Sequence, residues 1–132
     1  MLLDTSGLLA LLDAREPLHA KARQTYAAAA SRLTHAYVLA ELVALGNARG
    51  VPARPLLQFL MKLLASPDIE TVWPDEMLTS QALSLLLARQ GQGYSLCDAV
   101  SFVLMRSRGI QGSLTTDKHF EVEGFQRLLA AT

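Results

Sequence analysis

A chain of 132 residues with 51% hydrophobic and only 18% charged residues carries enough apolar surface to bury a core and too little charge for a disordered segment. Twelve Lys and Arg balance twelve Asp and Glu, so no overall basic field draws the protein to nucleic acid, although a local arginine patch could still grip phosphates. The single cysteine, Cys97, excludes an intramolecular disulfide and a multi-cysteine zinc site, and its apolar context reads as core packing.

The longest uncharged run, residues 77–88, is too short to cross a bilayer, and the opening MLLDTSGLLALLDAR has no basic leader. A soluble, cytoplasmic protein with no membrane contact is expected, as one domain over residues 1–132. The Ala- and Leu-rich composition favours partial self-association, and a homodimer is expected.

In chain order, MLLD at residues 1–4 reads as a short buried strand ending at an acid, and Thr5 or Ser6 opens a helix through Leu12. A second helix runs over about residues 17–30. SRLTH is a candidate strand, followed by a helix that ends around GNARG. Pro52 or Pro55 begins the next helix, stopped by SPD. IETVW alternates as a strand does, and PDE then starts a helix from Met77 to about Gln90. Ser95 opens a nearly all-apolar helix with Arg106 and Arg108 in its last turn and Gly109 after it. GSLTT is the next strand, and FEVEGFQRLL is expected to add a short strand and a tail. Strands alternating with helices predict an α/β fold, a three-layer α/β/α sandwich around a parallel sheet.

Four of the twelve acids stand apart from the solvated rest. Asp4 follows MLL, Asp98 sits in SLCDAVSF, and Asp117 ends SLTT. Glu41 shares a helical face with Val38, Leu42 and Leu45, so it is expected to point inward and to need a partner from elsewhere in the fold. Carboxyl ends of parallel strands share one edge, where open sheets bind ligands, and all four acids can reach it. Each also has a plain structural reading: Asp4 as a helix cap, Asp98 closing a capping box with Ser95, Asp117 making a turn, Glu41 paired with a buried arginine.

Gathered together, four carboxylates would repel by roughly 10 kcal/mol, comparable to the stability of a whole domain. Raised carboxyl pKa values would relieve this in part, and divalent cations would do so better. An all-oxygen ligand set selects Mg2+ or Mn2+ over Zn2+. Thr5, Ser6, Thr115 and Thr116 offer hydroxyls and N–H groups beside the acids, able to orient them, with ordinary helix and turn chemistry as the alternative. His35 and His119 read as loop or helix-edge residues and His19 as surface.

LLDTSGLLALLD, LTHAYVLAEL, YSLCDAVSFVLMRSRGI and LTTDKHFEVEGF together resemble the PIN domain, in particular its small stand-alone VapC-type toxins, across nearly the whole chain and in the right order. The resemblance implies a Rossmann-like parallel sheet and an Mg2+- or Mn2+-dependent ribonuclease, the toxin of a toxin–antitoxin pair. Asp4, Glu41, Asp98 and Asp117 would be its catalytic and metal-holding quartet, with Thr5 or Ser6 and Thr116 in support. It also implies a homodimer, an RNA substrate and a cognate antitoxin protein entering the acidic groove. The neutral net charge departs from more basic relatives. Arg15, Arg89 and Arg106 are candidate contacts to RNA or antitoxin whose placement the sequence leaves open.

The alternative from another class is a non-hydrolytic Mg-binding α/β signalling or protein-interaction domain. A receiver-like site would want two adjacent acids after the first strand, where only Asp4 stands. A haloacid-type phosphatase would want D-x-D, where the second position is Ser6.

Overall fold

The computed structural model describes residues 1–130. Five short strands, β1 (Leu2–Leu3), β2 (Leu33–His35), β3 (Glu70–Val72), β4 (Gly112–Leu114) and β5 (Gln126–Arg127), make one sheet in the order β3-β2-β1-β4-β5. Every pairing is parallel, with Leu2 opposite both Leu33 and Ser113, and Leu3 opposite Leu114. Parallel neighbours need long crossovers, and helices supply them. Helices α1 (Thr5–Leu12) and α2 (His19–Ala28) join β1 to β2, α3 (Ala36–Ala48) and α4 (Ala53–Ala65) join β2 to β3, and α5 (Glu76–Ala88) and α6 (Leu96–Arg108) join β3 to β4. The short α7 (His119–Val122) leads into β5. Among the described residues no helix is long and apolar enough to cross a membrane.

Strand periodicity divides the apolar side chains between two cores. Leu3 and Leu114 pack with Leu8, Val38, Leu42 and Leu56 under α1, α3 and α4, whereas Leu2 and Leu33 pack with Val100, Phe102, Met105 and Phe120 under α6 and α7. The result is the expected three-layer sandwich. Because the chain works outward from β1 to β3 and then returns to the other side with β4, the strand order reverses between β1 and β4. In open parallel sheets such a switch point opens a crevice outside the carboxyl ends of the strands.

Gly7 fixes how α1 sits over this crevice. A Cβ there would lie 2.7 Å from the carbonyl carbon of Leu114 and against its oxygen, so only glycine lets the first turn of α1 rest on the end of β4. At the other side α6 starts with a complete capping box on Ser95 and stops at Gly109 with φ +65, as its sequence predicts.

The end of the chain differs from expectation. Residues 119–122 form a helical turn before β5, where the sequence suggested only strand and tail. The Asp117 carboxylate accepts from the His119 N–H at 2.9 Å and opens this turn, a local bond that hydrophobic periodicity over four residues cannot reveal. Smaller shifts occur in α2, which begins at His19 rather than Pro17.

Candidate active site

Asp4 leaves β1 in extended conformation, so its carboxylate turns into the crevice instead of capping α1: it makes no side-chain cap bond. Its Oδ2 accepts from the hydroxyl of Thr115, at the end of β4, at 2.7 Å. Thr115 Oγ1 in turn accepts from the Asp117 N–H at 3.0 Å and lies 3.2 Å from Ser6 Oγ, which accepts from the Thr116 N–H at 3.0 Å. One threonine therefore ties the first strand to the fourth and fixes two acids at once. Asp4 is 4% exposed, and this burial pushes its carboxyl up to about 7; the Thr115 and Thr5 bonds work against the rise, while Asp98 and Glu41 add to it.

Asp98 comes from the first turn of α6. Its Oδ2 accepts from the Ser95 N–H at 3.1 Å, the Ser95 hydroxyl returns the bond at 3.0 Å, and the same Oδ2 lies 3.2 Å from His119 Nδ1. The capping box is real, yet it does not compete with the site. It holds the carboxylate in place at the crevice. Asp117 lies 3.5 Å from the same imidazole nitrogen, and one ligand atom from each of Asp98, Asp117 and His119 falls within 4.8 Å of the others.

Glu41 corrects one expectation. It is exposed, in the second turn of α3, whose buried residues are Val38, Leu39, Leu42 and Gly46. Its place at i+3 from Val38 puts it on the edge of the apolar stripe, and that edge borders the open crevice. Its charge nevertheless helps to raise the pKa of Asp4 and, after burial, that of the Cys97 thiol.

Asp98 and Asp117 thus share His119, Asp4 is tied to the Asp117 N–H through Thr115, and Glu41 acts on Asp4 by charge; among the described residues none of the four is paired with a lysine or arginine. The guanidinium pairs lie elsewhere: Arg15 with Asp13, Arg49 with Glu16, Arg89 and Arg106 with Glu123, Arg108 with Glu70, Arg127 with Glu121. Arg15, Arg89 and Arg106, the candidate RNA contacts, are each occupied by an acid. The donor set of Asp98, Asp117 and His119 is carboxylate oxygen with one imidazole nitrogen, a set able to hold a divalent cation.

Sequence reasoning misplaced three groups. His119 is part of the cluster rather than a bystander, and its signal was a D-x-H spacing after a strand. Of the supporting residues, Thr115 is the hub, Thr116 is exposed and contributes its N–H, and among the described residues the buried Thr5 hydroxyl has no partner. His35 is fully buried at the end of β2, its Nε2 2.8 Å from Ser101 Oγ. His19, half-buried, has its Nδ1 2.7 Å from the Ala10 carbonyl.

Comparison with known proteins gives the same picture. The PIN domain family profile matches residues 1–124. The 23S rRNA-specific endonuclease VapC20 of Mycobacterium tuberculosis, in strains CDC 1551 / Oshkosh and ATCC 25618 / H37Rv, is 32% identical over 123 residues, 92% of this chain and 92% of that protein. The crystal structure of Mycobacterium tuberculosis VapC20, described as a Sarcin-Ricin loop cleaving toxin, superposes with a TM-score of 0.85 at 30% identity, covering 94% of this chain and 95% of that one. The chain belongs to the PIN domain family, on its VapC-like branch.

Proposed function

We propose that this protein is a divalent-metal-dependent ribonuclease, the toxin of a toxin–antitoxin pair, acting as one PIN domain over residues 1–132. The observation that carries the reading is that Asp98 and Asp117 cluster on His119, Asp4 is tied to the Asp117 N–H through Thr115, and Asp98 and Glu41 act on Asp4 by charge, with no lysine or arginine paired to any of the four among the described residues. In this reading the four acids hold Mg2+ or Mn2+. A divalent ion held there supplies an activated water and neutralises charge on a phosphate.

The chain's own residues do the positioning. Thr115 aims Asp4 and braces Asp117, and Ser6 braces Thr115. Ser95 holds Asp98 through the helix cap. No side-chain nucleophile is required by this arrangement. The substrate class is RNA, and the named action of VapC20 on 23S rRNA makes a ribosomal stem-loop the first candidate.

The partner is a cognate antitoxin whose tail enters the acidic edge. We also infer a homodimer in the cytoplasm, supported by the exposed Trp73, Met77 and Leu87 around α5. Light scattering of the purified protein tests that assembly.

The central test is cleavage of ribosomal RNA by wild type, Asp4→Asn and Asp98→Asn, each checked for fold by circular dichroism, with Mg2+, with Mn2+ and with EDTA. Wild type should cut with either ion and stop in EDTA, and both variants should be silent. Folded variants that cut as well as wild type would overturn the assignment.

A further inference from the structure

We propose that His119 is a ligand of the cation at this edge, so that the site carries one nitrogen among its carboxylates and favours Mn2+ over Mg2+. The inference rests on the reading of the four acids as a metal centre and deepens it.

Its basis is position. His119 Nδ1 is 3.2 Å from Asp98 Oδ2 and 3.5 Å from Asp117 Oδ1. Two donors at right angles around an ion with bonds of about 2.1 Å stand about 3.0 Å apart, so these separations are close to those of neighbouring ligands. A histidine that served only as surface would have no reason to aim one nitrogen at two carboxylates from different elements. Coordination through Nδ1 leaves the proton of the neutral ring on Nε2.

The ring is also held. The backbone N–H of His119 donates to Asp117 Oδ1 at 2.9 Å, which fixes where the side chain begins. Tyr94 packs edge-on against the imidazole, with centroids 5.1 Å apart, and against Phe102 at the same separation. The Tyr94 hydroxyl donates to the buried Glu123 at 2.8 Å, and Arg106 grips that carboxylate from the other side. An aromatic wall anchored on the buried Glu123 carboxylate packs against one side of the imidazole, whose side chain is 34% exposed.

The chemical consequence concerns which ion is held. Mg2+ prefers oxygen and gains little from an imidazole, whereas Mn2+ and the later first-row ions accept one readily. The rival role is a protonated imidazole that merely balances Asp98 and Asp117; there, an incoming cation would have to displace it, and its removal would help both ions.

The experiment is a binding titration of Mn2+ and Mg2+ by calorimetry on wild type, His119→Asn and His119→Gln, with pulsed electron paramagnetic resonance of the Mn2+ complex. Wild-type protein with Mn2+ should show hyperfine coupling to an imidazole nitrogen. In both variants that coupling should vanish, Mn2+ should bind about tenfold more weakly or worse, and Mg2+ should change less than about twofold. Absence of nitrogen coupling in wild type, or variants that bind both ions equally weakened or more tightly, would overturn the proposal. Mn2+ binding that survives unchanged in Asp98→Asn would instead remove the metal-centre reading, and this inference with it.

Discussion

Replacing Asp4 by asparagine isolates the load that one buried acid places on the metal-free fold. Burial raises its carboxyl from 3.8 to about 7. Between those values the native state keeps a proton that the unfolded chain has released, so stability falls as pH rises. His35 acts in the opposite sense: burial lowers its imidazole from 6.5 to about 4, the unfolded chain holds the extra proton, and stability rises with pH through that window. From pH 5 to pH 7.5 the Asp4 contribution is a loss of about 2.5 kcal/mol and the His35 contribution a gain of about 2 kcal/mol, at about 1.4 kcal/mol per unit of pH where each group differs between states. Asp13, Glu70 and Glu123 have carboxyls shifted downward and titrate below the window. In EDTA, wild-type stability should therefore be nearly flat across this range, because the two slopes offset each other. Asp4→Asn should gain about 2 kcal/mol from pH 5 to pH 7.5, and His35→Gln should lose about 2.5 kcal/mol. Urea denaturation followed by far-ultraviolet circular dichroism measures all three. An Asp4→Asn protein with the same flat profile as wild type would refute the claim that Asp4 is buried at the cost of its charge.

Gly7→Ala would drive a methyl group into the backbone of Leu114, which cannot move aside, so α1 must lift from β4. A stability loss of about 3 kcal/mol is expected in thermal denaturation, with weaker cleavage as Ser6 and Thr115 separate. Glu123→Gln removes the charge that Arg89, Arg106 and Tyr94 share. Both arginine side chains are nearly half exposed, at 42% and 46%, and can turn to water, so the cost should be about 1 to 2 kcal/mol, below that of a fully buried pair. Retained RNA cleavage alongside that loss would mark the network as a brace.

How legible the molecule was in its sequence depends on which force set each element. The alternation of strand and helix was readable where helices carry their own start and stop signals: SPD after α4, Ser95 before α6 and Gly109 after it. The acidic quartet was readable for a related reason, since three of the acids stand next to strand ends or helix starts that propensity alone locates. Glu41 was harder. Its spacing from Val38 assigned it to the buried face, and nothing local tells that the outer edge of that face borders a crevice rather than another helix. His35 and His119 do stand at helix edges, as read, but a histidine carries no periodic signature to tell that one is buried and the other sits among the acids. What buries one against Ser101 and aims the other at Asp98 is contact between elements 66 and 21 residues apart. Glu123, placed in a polar tail, is buried because two arginines from α5 and α6 converge on it, which only the packed α5–α6 pair can arrange.

The capping box on α6 shows why structural and functional readings of one residue need not exclude each other. Only Asp98 Oδ2 takes the bond from the Ser95 N–H, and among the described residues Oδ1 has no hydrogen-bond donor. A helix cap stabilises by about 1 kcal/mol whether or not a cation is present, so it fixes the carboxylate's rotamer before any ion arrives. The same holds for Asp117, whose Oδ1 accepts from the His119 N–H that starts α7. Two of the four acids are thus positioned by the turns they begin, and Asp4 by a hydroxyl that also receives the Asp117 N–H. Local bonds that the fold forms for its own stability leave free oxygen lone pairs facing one crevice, and the unrelieved repulsion among them is what a bound cation would remove. The acid with the least structural reward for standing there is Glu41, which is exposed and outside any cap; a substitution there should therefore separate metal binding from folding most cleanly.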